Sequence, residues 1–107
     1  MFNKVTTSVR ILAAAGVEEA ASGHPGMPLG MADVGTVLYK KFLKVSTHNP
    51  SWINRDRFIL SPGHGSMLLY SLLHLNGFDL TTDDLRNFRQ HNSKTPGHPE
   101  LDSSLGI

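Results

Sequence analysis

Apolar residues recur at helical spacing near the start of the chain. Val5, Val9 and Leu12 follow this spacing, and the alanine-rich stretch that continues to Ala21 favours helix. Glycine and proline then interrupt the pattern in the sequence Ser-Gly-His-Pro-Gly at 22–26. The pattern therefore predicts a helix from Val5 to Ala21 that runs into a loop containing glycine and proline.

Larger apolar residues predict a second helix. Met31, Val34, Leu38 and Phe42 fall at i, i+3, i+7 and i+11, which places them in one stripe along a helix. Such a stripe normally packs against the core, so we expect these four side chains to be buried. The helix should end near Lys44, where positive charge suits the negative end of the helix dipole.

The middle of the chain shows the pattern of a strand, a tight turn and a helix. The segment 57–61, Arg-Phe-Ile-Leu-Ser, predicts a short buried strand, and Pro-Gly-His-Gly at 62–65 ends it. The run 66–75 is nearly all apolar and closes at Asn76-Gly77, a pair suited to a left-handed helix cap. We therefore expect a buried helix after the turn.

A short fourth helix is predicted near residue 82. Thr82 is the expected N-cap, two aspartates follow it in the first turn, and Leu85 and Phe88 share one face. The segment 95–99 reads as a loop. Residues 101–107 carry no clear pattern.

The balance of predicted elements leaves the fold class open between two choices. Several helices have apolar faces, but the sequence offers a single convincing strand, whereas an α/β fold needs a sheet for its helices to cover. The chain is either a small helical bundle, or an α/β unit whose other strands lie on sequence beyond it.

Composition narrows the functional classes. The chain has 107 residues, enough for one small domain, and its hydrophobic fraction of 39% is ordinary for a soluble globular protein. A net charge of +1 gives no electrostatic footprint for a nucleic acid or a membrane surface, and no apolar run is long enough to span a bilayer. The absence of cysteine excludes disulfides and thiolate chemistry. We expect a cytoplasmic protein.

Three of the 6 histidines stand in turns framed by glycine and proline: His24, His64 and His98. Such turns are common on surfaces, but three similar ones favour a shared site. His64 lies between the predicted strand and helix, where a helix amino terminus favours an anion such as phosphate. Gly63 and Gly65 would let a phosphate oxygen approach the backbone. A zinc site built from the three histidines is a weaker alternative, because their spacing matches no local metal motif.

Several strings along the chain form one specific combination of motifs: Ala-Ser-Gly-His-Pro-Gly at 21–26, Pro-Leu-Gly-Met-Ala-Asp at 28–33, Asn-Pro-Ser-Trp-Ile-Asn-Arg-Asp-Arg-Phe at 49–58, Ser-Pro-Gly-His-Gly at 61–65, Leu-Tyr-Ser-Leu-Leu-His-Leu at 69–75, Phe-Arg-Gln at 88–90 and Lys-Thr-Pro-Gly-His-Pro-Glu at 94–100. Together these strings resemble the motifs of transketolases. The resemblance covers almost all of the chain up to Glu100, and dihydroxyacetone synthases, which share much of the pattern, remain a close alternative.

The resemblance implies an enzyme that uses thiamine diphosphate to move a two-carbon ketol unit between sugar phosphates. It further implies that His64, with Gly63 and Gly65, contacts the cofactor diphosphate, and that His24 and His98 are catalytic and lie beside the reacting carbon. The family's divalent cation, Mg²⁺, accompanies the cofactor. The expected partners are sugar phosphates and either a second copy of the chain or the rest of a transketolase. We expect no binding to nucleic acid or to a membrane.

The sequence also departs from the family pattern. The family's Gly-Asp-Gly motif for the metal and the Glu of its second domain have no counterpart here, so we assign no metal ligand to this chain. We expect residues 1–107 to be part of the amino-terminal domain of a three-layer α/β fold, lacking the carboxyl-terminal part of that domain and inactive alone. The alternative is a non-catalytic protein, derived from transketolase, that binds a phosphate ligand or a partner.

Overall fold

A computed structural model describes residues 2–107. Four α-helices dominate it: α1 spans Phe2–Ala20, α2 Gly26–Val37, α3 Ser66–Leu75 and α4 Thr82–Arg86. A π-helical turn, Leu38–Phe42, extends α2, and 3-10 turns occur at Gly63–Gly65 and Ser103–Leu105. The predicted α1 and α3 are confirmed, with boundaries within three residues of those expected. Within residues 2–107, no helix combines the length and apolar character needed to cross a bilayer.

Helix α3 lies at the centre of the molecule, and every residue from Ser66 to Leu73 is buried. Small residues on the neighbouring helices allow this close packing. A Cβ built on Gly16 of α1 would lie 2.7 Å from Cε of Met67, and one on Gly35 of α2 would lie 2.6 Å from Cδ1 of Leu72. The absence of side chains at these two glycines therefore lets both helices approach α3.

The predicted burial of the second helix is wrong. Met31, Val34 and Phe42 are exposed, at 39%, 55% and 66% of their surface. The residues of α2 that are buried are Pro28, Ala32, Gly35 and Thr36. The helix turns its small residues toward the core because α3 approaches too closely for large side chains, and the larger apolar residues are left outside.

The predicted strand at 57–61 is also wrong, because no described residue forms a strand. The segment does keep a two-residue alternation: Phe58 and Leu60 pack against the core, whereas Ile59 is 84% exposed. A strand is defined by hydrogen bonds to a neighbouring strand, and no such neighbour lies within residues 2–107. The segment therefore has the side-chain alternation of a strand but no neighbouring strand to pair with.

The cap of α4 lies one residue earlier than predicted. Thr81, not Thr82, is the N-cap, and it forms a capping box in which its hydroxyl accepts from the Asp84 N–H while the Asp84 carboxylate accepts from the Thr81 N–H. Leu85 and Phe88 are buried as expected, although the helix ends before Phe88. At the end of α3 the predicted left-handed residue is Gly77, with φ of +90°.

Candidate functional site

The turn that carries His24 follows α1 and is held against the loop after α4. Gly23 has φ of +124°, a conformation that side chains rarely adopt. A Cβ at Gly23 would lie 2.9 Å from Cε2 of Phe88 and 3.2 Å from Cγ2 of Val17. Glycine is therefore required here both by the backbone conformation and by the packing. The packing of Gly23 sets the backbone position of the next residue, His24.

The turn that carries His64 leads directly into α3. The Gly65 N–H donates to the Pro62 carbonyl at 2.9 Å, which closes the turn. A Cβ at Gly65 would lie 2.5 Å from Sδ of Met27, so this glycine lets α2 pack against the turn. His64 itself is exposed.

The turn that carries His98 is attached to α3 by two buried hydroxyl groups. Ser66 Oγ donates to the Gly97 carbonyl at 2.7 Å, and Tyr70 Oη donates to the Pro96 carbonyl at 2.6 Å. Burial raises the pKa of Tyr70, and the nearby Glu100 carboxylate raises it further. The phenol therefore stays protonated and keeps its role as a donor.

These turns bring the three histidines together at the amino end of α3. The ring centroids of His24 and His64 lie 5.3 Å apart and meet edge to face. His98 reaches the same turn, since a Cβ at Gly63 would lie 3.1 Å from its Cδ2. All three imidazoles are exposed. The packing of α1, α2 and α3 brings the three turns together.

The two glycines beside His64 also have close protein neighbours. The space that a side chain would occupy at Gly63 is next to His98, and at Gly65 it is filled by Met27. These glycines therefore allow neighbouring protein groups to come close. Their backbone remains next to the exposed imidazoles of His24 and His64, at the amino-terminal end of a ten-residue helix.

The site suits an anion better than a metal cation. None of the ion pairs formed by residues 2–107 involves the three histidines, so no carboxylate neutralises them in this way. The same residues contain no cluster of three or more His, Cys, Asp or Glu side chains that could hold a metal ion, so the structure gives the zinc alternative no support. Imidazole donors beside the positive end of a helix dipole favour phosphate.

An apolar cavity of about 290 Å³ lies elsewhere in the molecule. Its lining includes Tyr39, Phe58, Phe78 and Ile107, and none of the three histidines or their flanking glycines contributes to it. The histidine turns suggested by the sequence and this apolar cavity are therefore separate features.

Sequence reasoning missed the residues that support the histidines. Four residues hold the three turns in place: Ser66, Tyr70, Met27 and Phe88. In the sequence, each of them looks like an ordinary residue of an apolar helix face or a loop. Hydroxyls within the buried run 66–75 were a partial signal, because most buried hydroxyls have a hydrogen-bond partner, but the sequence does not show which group that partner is.

Comparisons with known proteins agree on one protein family. The family model described as the transketolase, thiamine diphosphate binding domain, matches residues 2–107. Transketolase from Buchnera aphidicola subsp. Schizaphis graminum is 60% identical over 104 residues, and transketolase 1 from Escherichia coli is 56% identical. The chain therefore belongs to the transketolase family.

Solved structures show the same fold. The transketolase of Campylobacter jejuni superposes with a TM-score of 0.93 at 54% identity over 99% of this chain, and that of Leishmania mexicana with a TM-score of 0.95 at 48% identity over all of it. The chain spans 16% of the length of each of these proteins and of the two curated relatives. The activity of the longer proteins is therefore a matter of proposal for this chain.

Proposed function

We propose that this chain forms part of the thiamine diphosphate site of a transketolase, which transfers two-carbon ketol units between sugar phosphates. The observation that carries the proposal is the meeting of His24, His64 and His98 at the amino end of α3. Exposed imidazole donors, with no ion-paired carboxylate among the described residues, fit the diphosphate group of that cofactor.

His64 is proposed to hold the diphosphate. Its ring belongs to the turn at the positive end of α3, so an N–H of the imidazole and the helix dipole act on the same anion. Gly63 and Gly65 contribute to this contact through their backbone, and their missing side chains keep His98 and Met27 close. The bound cofactor supplies the carbanion chemistry that side chains lack.

His24 and His98 are proposed as the catalytic residues. His24 lies beside His64, and His98 lies against Gly63, so both imidazoles face the space next to the proposed diphosphate position. An imidazole near neutral pH can accept or donate a proton and can hydrogen-bond a sugar hydroxyl. These two residues would therefore orient the sugar and move its protons.

The proposal gives this chain no metal-dependent step. A divalent cation such as Mg²⁺ belongs with the cofactor by family resemblance, but residues 2–107 offer no cluster of carboxylates or imidazoles that could ligate one. Any such ligands would have to come from another part of a transketolase.

Sugar phosphates are the proposed substrates. Transketolase from Pichia stipitis has been solved in complex with sedoheptulose 7-phosphate, and a variant of it with fructose 6-phosphate. The proposed partners of this chain are the rest of a transketolase or a second copy, and the proposed compartment is the cytoplasm.

Cofactor binding is tested by calorimetric titration of the chain with thiamine diphosphate, with and without Mg²⁺. We expect saturable binding that His64→Ala weakens by about tenfold or more, because a hydrogen bond to a charged group is lost. His48→Ala is the matched control: its neighbour Thr47 lies beside Gly77, at the opposite end of α3. Equal effects of the two substitutions would contradict the role proposed for His64, and a flat titration would show that the cofactor needs the rest of a transketolase in order to bind.

Catalysis is tested in a chimera in which this chain replaces the matching residues of the Escherichia coli relative. We expect ketol transfer in the chimera, a loss of about a hundredfold or more in kcat for His98→Ala, and a higher thiamine diphosphate requirement for His64→Ala. A chimera that binds the cofactor without ketol transfer would favour the non-catalytic, phosphate-binding alternative.

A further inference from the structure

Two hydroxyl groups of α3 hold the turn that precedes His98. Ser66 and Tyr70 are one helical turn apart, so they lie on the same face, and both residues are 0% exposed. Their hydroxyls donate to the carbonyls of Gly97 and Pro96, at 2.7 and 2.6 Å. The two acceptors are consecutive peptide groups, and His98 follows directly.

Two consecutive carbonyls fixed to one helix determine the direction of the chain at the next residue. Gly97 is also confined on its other side, since a Cβ there would lie 3.2 Å from Nε of Arg89. The side-chain hydrogen bonds found within residues 2–107 include none from His98, so the position of its ring depends on packing beside Gly63 and on the backbone that carries it. That backbone is fixed by Ser66 and Tyr70.

The same helix also carries the turn of His64, whose last residue, Gly65, precedes Ser66. Any movement of α3 would therefore carry the His64 turn and the attachment of the His98 turn together. Because of the two hydrogen bonds from its hydroxyls, α3 holds both His64 and His98 in position.

We propose that Ser66 and Tyr70 are positioning residues that hold the His98 imidazole against the His64 turn. The importance of this position for catalysis rests on the proposed function, whereas the position itself does not. Burial in α3 does not by itself give a hydroxyl a hydrogen-bond partner. Ser71, one residue beyond Tyr70, is also fully buried, and its Oγ has no hydrogen-bond partner.

The test measures nuclear Overhauser effects in the full chain. Wild-type protein should give cross-peaks between Gly63 and His98 and between the rings of His24 and His64. We expect the Gly63–His98 cross-peak to be lost in the Ser66→Ala/Tyr70→Phe double variant and weakened in each single variant. The His24–His64 cross-peak should persist, because Gly65, Met27 and Gly23 place those rings independently.

Matched controls separate positioning from general packing. Ser71→Ala removes a buried hydroxyl from the same helix, and Tyr39→Phe removes one from another buried tyrosine; neither hydroxyl bonds to the 96–99 turn. Both controls should keep the Gly63–His98 cross-peak. Ser66→Thr, which retains a hydroxyl, should show a stronger Gly63–His98 cross-peak than Ser66→Ala.

The outcomes are decisive in either direction. Retention of the Gly63–His98 cross-peak in the double variant would overturn the proposal. If the double variant unfolds, the single variants, each of which keeps one bond, are judged by the same comparison of cross-peaks. Thiamine diphosphate takes no part in the measurement, so failure here is distinct from failure of the proposed function.

Discussion

At the scale of single residues, glycines determine how closely the histidine turns approach their neighbours. The Cβ position at Gly63 is next to His98, and that at Gly65 is next to Met27. Gly65 has φ of −81°, which other residues adopt without strain. Its requirement for glycine therefore comes from contact rather than from backbone conformation.

Gly65→Ala should lower the free energy of unfolding by about 1–3 kcal/mol, because the new methyl overlaps Met27. Sδ, Cγ and Cβ of Met27 lie 2.5, 3.0 and 3.2 Å from the added carbon, so rotation of the thioether end alone does not relieve the overlap. Urea unfolding of Gly65→Ala, Met27→Ala and the double variant measures the coupling. The double variant should be more stable than the sum of the single effects indicates.

Gly30→Ala is the control for this prediction. Gly30 lies within α2, and a Cβ there meets nothing within 4 Å. Alanine should therefore stabilise the chain by about 0.5–1 kcal/mol through helix propensity. Additive effects of Gly65→Ala and Met27→Ala would show that the contact does not limit the packing of the His64 turn.

The three histidines were predictable from the sequence because each stands in a turn framed by glycine and proline, which can be read locally. Their supports were not. Met27 contacts Gly65 and Tyr70 bonds to Pro96 through contacts between distant parts of the chain, and no periodicity encodes such pairs. The roles of the histidines toward a cofactor remain a prediction.

At the scale of elements, α2 shows how the size of buried residues decides which face of a helix turns inward. Its large apolar side chains suggested one face, but Ala32 and Gly35 are buried and Val34 is exposed. Small residues let α2 and α3 pack closely along their whole contact, whereas large apolar side chains would hold the two helices apart. The close packing therefore stabilises the folded chain more than burial of the large side chains would.

Substitutions on the two faces of α2 should therefore differ in their effects. Gly35→Val should lower the free energy of unfolding by about 1–3 kcal/mol, because its side chain would overlap Leu72. Val34→Thr, which keeps the branched shape, should change it by no more than about 0.5 kcal/mol. Thermal and urea unfolding compare the two. A large loss for Val34→Thr with a small one for Gly35→Val would support the face predicted from periodicity.

Local patterns predicted α1 and α3 correctly, whereas the strand that they predicted at 57–61 does not form. The runs that form α1 and α3 carry enough helical periodicity and propensity to be recognised, and Thr81 replaced Thr82 as cap only because Asp84 is spaced for a reciprocal capping box. For residues 57–61 the prediction of a buried strand is wrong, since Phe58 and Leu60 pack against the core but Ile59 is exposed, and a strand also needs a neighbouring backbone. That requirement cannot be read from the segment itself.

At the scale of the whole molecule, two buried tyrosines connect stability to pH. Burial raises the pKa of Tyr39 and of Tyr70 well above the usual value of about 10, and Glu100 contributes further at Tyr70. In the unfolded chain both phenols ionise near pH 10, while in the folded chain both stay protonated. The folded state therefore binds more protons than the unfolded state above that pH.

Unfolding free energy should consequently be unaffected by these groups below about pH 9 and should fall as pH rises above about 10. Each tyrosine contributes a slope of about 1.4 kcal/mol per pH unit, so the pair contributes about 2.7. Urea unfolding at pH 8 to 11 should show this fall in wild type and a flatter profile in Tyr39→Phe/Tyr70→Phe. The slope is the informative quantity, since Tyr70→Phe also removes the bond to Pro96 and lowers stability at every pH. Parallel profiles for the two proteins would mean that the phenols ionise equally in both states, which would contradict the burial of Tyr39 and Tyr70 in the folded chain.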